Sequence, residues 1–397
     1  MVVNLDMYMA MMAGIAALLL GLMLNRKVPF LKRICIPAPV TGGLLVSIVT
    51  LLLHNIFGLE IKFDDTLKDI CMMMFFTTVG YQSNFTVFKT GGRHLAIMVG
   101  LIAILVITQN FISVGLAPLV GIDPLTGMAA GSITMLGGHG TAAGFTSLME
   151  GRGLDGAGSI MMATATFGLL AGSLLGGPLG EHLINRYHLS PESPDEEKSL
   201  MTELGKQQNR QTFADYAKAS YEIFIAIGLG TLLSKALANT GISFPTYFGP
   251  LIVAALIRNF TELLPGCPKI EMSEIESIGN ICLSLFLGMA MVSLRLWQLA
   301  GIALPLLAIL VIQVIAIALF GRFVAFPLLG HNYDAAMLVS GLCGFGLGAT
   351  PNAMANMGAI SAKYHYSKIP FIVVPIVGAM FVDIINITVI TLFMNFI

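Results

Sequence analysis

Long apolar windows separated by short polar ones run along the whole chain, and two of the windows are broken as plain helices are not. Windows of about 20 residues cross roughly 30 Å of hydrocarbon. Such windows predict spans at 5–24, 36–57, 70–88, 94–121 and 157–182, then at 217–238, 246–265, 275–297, 301–328 and 369–396. A polar stretch at 185–216 divides the two sets, and its Ser190–Lys198 segment, SPESPDEEK, has the composition of a flexible linker. The expected organisation is therefore a five-helix repeat over 1–184, a linker over 185–216, and a second five-helix repeat over 217–397. The opening apolar segment lacks a preceding basic stretch and a small-residue cleavage pattern, so it reads as a first span and not as a removable signal peptide.

The broken windows lie at 125–148 and 335–359. Inside them are GSITMLGGHGTAAG (Gly131–Gly144) and GLCGFGLGATPNAMAN (Gly341–Asn356). In hydrocarbon an unpaired backbone group costs several kcal/mol. Broken backbone persists there only where protein buries it or where it lines a watery cavity. Both segments therefore read as re-entrant hairpins, and paired breaks in two halves point to the binding site of a secondary transporter.

The halves also resemble each other. DICMMMFF (Asp69–Phe76) echoes NICLSLFL (Asn280–Leu287) at an offset of 211, and Asp123 and Asp334 open the two Gly-rich segments at the same offset. At an offset of 210, Gly131 matches Gly341, Gly138 matches Gly348 and Gly168 matches Gly378. Their shared order indicates internal duplication. Because five spans are odd, the second copy must be inverted in the membrane. The fold expected is an all-α polytopic membrane protein of two inverted five-helix repeats, each with a Gly-rich hairpin.

Composition agrees. The 397 residues are 56% hydrophobic and only 11% charged, where soluble domains carry about 25%, and mean hydropathy is +0.85. The net charge of -1 points to no nucleic-acid partner, and five scattered cysteines lack metal-ligand spacing. Of the 21 Lys and Arg, sixteen fall on the side that holds the linker; Lys62, Lys68, Arg152, Lys235 and Arg295 fall on the other. Basic residues stay cytoplasmic, so both termini are expected outside and the linker inside. The first hairpin then enters from outside and the second from inside. No Ser-His-Asp pattern, HExxH or nucleotide-binding loop occurs, which argues against an enzyme or an ATP-driven pump.

Half-helix N-termini at a break present free N–H groups and about half a positive charge, which suits an anion. The candidate substrate residues are Thr134, Gly137, Gly138, His139, Gly140 and Thr141 in the first hairpin, and Gly346, Gly348, Thr350, Asn352 and Asn356 in the second. Exposed carbonyls, such as that of Gly344, suit Na⁺. Asp383 lies mid-span, where a carboxylate costs roughly 2.5–3.5 kcal/mol on insertion scales. It shares a helix face with Asn386, three residues on. Asp383, Asn386, Gly344 and Thr164 are the candidate Na⁺ residues. Asp383 can equally hold a proton, orient another ligand or bond between helices. His139 can donate to an acidic substrate, relay a proton or satisfy hairpin carbonyls. Gln109 and Gln313, alone in apolar spans, read as interhelical hydrogen bonds.

The two Gly-rich segments, together with IPAPVTGG (Ile36–Gly43), resemble the bacterial sodium/glutamate symporter family over essentially the whole chain. The resemblance implies Na⁺-coupled uptake of L-glutamate across the bacterial inner membrane. It further implies a homodimer held by scaffold domains, while a core domain carrying both hairpins moves across the bilayer like an elevator. Competing readings are a symporter for another anion, a channel and, furthest off, a membrane enzyme.

Overall fold

The computed structural model describes residues 2–28, 31, 36–84, 88–190, 212–239, 244–264 and 270–396. Most of the polar linker, with Cys35 and Cys267, lies outside the described residues. The first half comprises α1 (Met7–Lys27), α2 (Ala38–Phe57), α3 (Thr66–Gln82) and α4 (Phe88–Leu116), the last losing helical geometry at Gly92. It continues with α5 (Pro124–Ala129), α6 (Gly138–Gly151) and α7 (Ala157–Tyr187). The second half comprises α8 (Phe213–Ala238), α9 (Phe248–Leu263), α10 (Met272–Val292) and α11 (Ala303–Phe320). Then come α12 (Tyr333–Gly346), α13 (Thr350–Lys363), α14 (Lys368–Met380) and α15 (Val382–Met394).

Among the described residues, 7 helices are long and apolar enough to cross a membrane, or 8 if the bent pair α14–α15 forms one span. The protein is thus a polytopic helical membrane protein. Elements occur at all ten predicted span positions, but α3 and α9 have only 17 and 16 residues. The last span, read from the sequence as one helix over 369–396, bends by 44° at Phe381. Pro375 does not account for this bend, because a proline disturbs the turn before it and Phe381 lies six residues after it.

A two-stranded parallel ribbon was not expected: β1 (Val2–Leu5) pairs with β2 (Glu60–Phe63), Val2 opposite Glu60. Four residues per strand leave no readable period. The pairing is parallel because each strand leads directly into a helix, α1 or α3, that descends from the same end of the molecule.

The helices sort into two bundles. In the first, α1 packs on α2 and α8 on α9, while α3 and α10 cross centrally and touch both pairs. Small residues let these backbones approach, as helix association in lipid requires. At Gly21 and Gly42 a side chain would run into the backbone of the facing helix, α2 or α1 respectively. Gly230 and Gly249 stand in the same relation at the α8–α9 crossing. The second bundle holds α4–α7 and α11–α15, with α12 packed on α7 and α13, and α4 on α11, α14 and α15.

Candidate functional site

Each Gly-rich segment is a pair of short helices joined by non-helical chain. In the first, Asp123 caps α5 by accepting from the Leu125 N–H at 2.8 Å. A run of tight turns follows before α6 begins at Gly138. In the second, Asn332 caps α12 through the Ala335 N–H at 2.9 Å, and α13 starts after a three-residue break. The outer arms are thus capped by side chains, whereas α6 and α13 have no side-chain cap. Uncapped N-termini keep donors and positive dipole ends for another partner.

These two uncapped ends meet. Gly138 has φ +59, and a side chain there would press on the Gly348 carbonyl of the other hairpin. Only glycine serves both the left-handed backbone and the close approach. Around this contact the predicted residues divide by role. Thr134 donates to the Ala129 carbonyl at 2.9 Å, and Thr164 reaches the same carbonyl at 3.4 Å while bonding its own helix, so both brace the first hairpin. Gly137 turns the chain, its N–H donating to the Ser132 carbonyl at 3.0 Å. Gly140 faces Phe75. His139 is buried and pairs through Nε2 with Thr166 Oγ1 at 3.0 Å, which fits none of its predicted roles directly. Gly346 accepts from Gln109 Nε2 at 2.8 Å, and Gln313 Nε2 donates to the Gln109 carbonyl at 2.7 Å. Both glutamines therefore make the interhelical bonds expected of them. Thr350 opens α13 against Gly378 of α14, and Gly344 packs closely on Ala353.

Three asparagines clamp the hairpins. Asn352 Nδ2 donates to the Leu169 carbonyl at 2.8 Å and to Ser173 Oγ at 2.7 Å. Asn356 Nδ2 donates to the Gly172 carbonyl at 2.9 Å. Asn386 Nδ2 donates to the Ser132 carbonyl at 3.0 Å, and Ser132 N–H in turn donates to Asn110 Oδ1 at 3.0 Å. Each hairpin is thus held by a helix of the opposite half, the second by α7 and the first by α15. After these bonds, Thr141 Oγ1, Ser132 Oγ, Asn352 Oδ1 and Asn386 Oδ1 stay buried without a hydrogen-bond partner. Buried polar groups are normally satisfied, so these oxygens around one tip contact are candidates for holding a ligand.

The first bundle supplies an aromatic wall. Tyr247, fully buried, stacks on Phe76 at 3.8 Å between centroids and meets Phe145 of α6 edge-on at 6.3 Å. Gly144, also on α6, leaves room for its ring. Asp383, half-buried in the first turn of α15, lies within electrostatic reach of Tyr247. Above this wall a cavity of about 510 Å³ separates the bundles at the end of the molecule that carries the β ribbon. Its deepest lining residues on α6 and α7 are Ala143 and Met162. His139 and Thr166 lie one turn deeper.

Asn110, Ser132 and Tyr247 were missed in the sequence. Asn110 adjoins Gln109, and its polarity inside an apolar span was a usable signal. Tyr247 sits in a turn where nothing in the pattern marks it.

The sodium/glutamate symporter family profile matches residues 3–366. The chain belongs to the sodium/glutamate symporter family. It is 41% identical over 394 residues to the sodium/glutamate symporter of Escherichia coli (strain K12), covering 98% of each chain. A sodium/glutamate symporter of Haemophilus influenzae is 36% identical over 375 residues, with 93% of this chain and 92% of that one aligned. Membership of the sodium/glutamate symporter family makes this chain a transporter and not an enzyme.

Proposed function

We propose that this protein takes up L-glutamate in symport with Na⁺ by an elevator-type alternation, across the inner membrane of a bacterium. The observation that carries the reading is the meeting of two uncapped helix N-termini at Gly138 and Gly348, beside buried oxygens that lack partners. The positive helix ends suit the substrate carboxylates. The open oxygens of Thr141, Ser132, Asn352 and Asn386 suit Na⁺, a hard cation that prefers oxygen. Asp383, if ionised, would repel an anionic substrate, so its place in this scheme is beside the cation.

Two bundles with a cavity between them support the elevator reading, with α1–α3 and α8–α10 as scaffold and the rest as the moving core. The repeated arrangement of the bundles, α1–α2 and α8–α9 each joined at glycines, supports inverted repeats and re-entrant hairpins. On the topology favoured by basic residues, termini are external, the linker is cytoplasmic and the cavity faces outward. A homodimer joined through the scaffold completes the scheme. The test is uptake of labelled L-glutamate into liposomes under Na⁺, K⁺ or proton gradients. Accumulation with Na⁺ alone supports the reading. Accumulation under no gradient in folded protein ends it, and competition by other anions separates the rival symporters.

A further inference from the structure

The outer cavity carries a charge arrangement that the transport scheme leaves unused. Its first-bundle wall presents Lys62, Lys68 and Arg295 with the acidic Asp65 among them, and its second-bundle wall presents Glu150 and Asp155. Lys68 is only 7% exposed. A buried ammonium is tolerated when paired, and Asp65 Oδ1 pairs it at 2.7 Å from a largely exposed position. Arg295 is held more loosely, 3.4 Å from Glu60 Oε1, with both side chains partly in water. Exposed pairs of that kind are worth little, so the guanidinium can exchange partners at small cost. The charged neighbours of Glu150 are Lys68, Asp65 and Arg295, which places all four in one electrostatic neighbourhood.

Both signs of charge therefore face each other across a space of about 510 Å³, enough for an amino acid and several waters of about 30 Å³ each. An acidic amino acid carries one ammonium and two carboxylates. Arg matches a carboxylate with two parallel donors, and Lys68 offers a second cation on the same wall. Glu150 stands opposite, on the first hairpin. We propose that this outer cavity is a docking site for the acidic amino-acid zwitterion, with Arg295 and Lys68 taking its carboxylates and Glu150 its ammonium, before it descends to the hairpin tips. The inference rests on the transport reading above. It adds a selection step: a dicarboxylate without an ammonium leaves Glu150 uncompensated against its own charge. It also places the cations on the static wall and the anion on the moving one, so the substrate bridges the two.

The experiment is Na⁺-driven uptake with purified variants in liposomes. Arg295→Gln and Lys68→Met are each expected to raise KM for L-glutamate about tenfold, equivalent to about 1.4 kcal/mol. Vmax and the Na⁺ concentration for half-maximal uptake stay as in the wild type. Arg295→Lys recovers most of the loss. Glu150→Gln is expected to make glutarate a markedly better competitor relative to L-glutamate. The docking site is overturned if both cation variants keep KM within about twofold of an active wild type, or if KM, Na⁺ dependence and thermal stability fall together. A wild type that accumulates no L-glutamate overturns the transport reading itself, which is a different outcome.

Discussion

Glycine does one kind of work in the first bundle and two in the second. In the first, Gly21, Gly42, Gly230 and Gly249 lie inside regular helices and let backbones touch. In the second, Gly172 and Gly176 do the same where α7 meets α12, while Gly137, Gly138 and Gly348 bring two helix N-termini together. Unpartnered buried oxygens occur in both bundles, Glu222 Oε2 and Glu274 Oε2 in the first, but those of Thr141, Ser132, Asn352 and Asn386 lie around the tip contact of the second. One residue type thus makes close crossings in both bundles and, in the second, a polar centre as well.

That contrast can be broken most forcefully in the first bundle. Gly42→Leu drives a side chain into the Ala17 carbonyl; overpacking typically costs 1–3 kcal/mol or more. The expected result is loss of most folded protein, read by size-exclusion profile and thermal scan. Asp383→Asn should act on transport and leave folding alone. It is expected to raise the Na⁺ concentration for half-maximal uptake about tenfold or more, a loss of about 1.4 kcal/mol; unchanged Na⁺ dependence in well-folded protein would sink its role at the ion. Gly144→Ala tests the seam between the bundles. Its methyl meets the Tyr247 ring, so Vmax should fall severalfold with Na⁺ dependence intact, and a normal Vmax would show that this face does not move past Tyr247. Gln109→Leu should have the smallest effect. It removes one bond to the Gly346 carbonyl, and membrane hydrogen bonds average about 0.6 kcal/mol, so a small fall in melting temperature is expected with uptake nearly normal.

Much of this architecture was readable because hydrocarbon restricts the choices. Apolar length locates helices such as α1, α7 and α11, and the Gly-rich stretches at 131–144 and 341–356 locate the two breaks between short helices. Local competition was harder to read. The bend at Phe381 had no signal in the apolar pattern, since Pro375 disturbs the turn before it and not the one six residues on. The β ribbon is too short to carry a period. Assignment of spans to bundles depends on which glycines face which partner, and periodicity in an all-apolar helix does not say. At the site, residue type predicted polarity and not direction. Thr134 and Thr164 turn onto the Ala129 carbonyl, His139 onto Thr166, while the same reasoning overlooked Asn110 and Tyr247.

The clamp between Asn386 and the Ser132 carbonyl joins residues 254 apart in sequence. At synthesis rates of 5–20 residues per second, roughly ten to fifty seconds separate the appearance of the acceptor from that of its donor. During that interval the first hairpin lacks the clamp that holds it in the finished protein. Biogenesis therefore has a built-in order, in which this clamp closes only when the last helix arrives. A chain truncated before α15 would present that unfinished hairpin to membrane quality control.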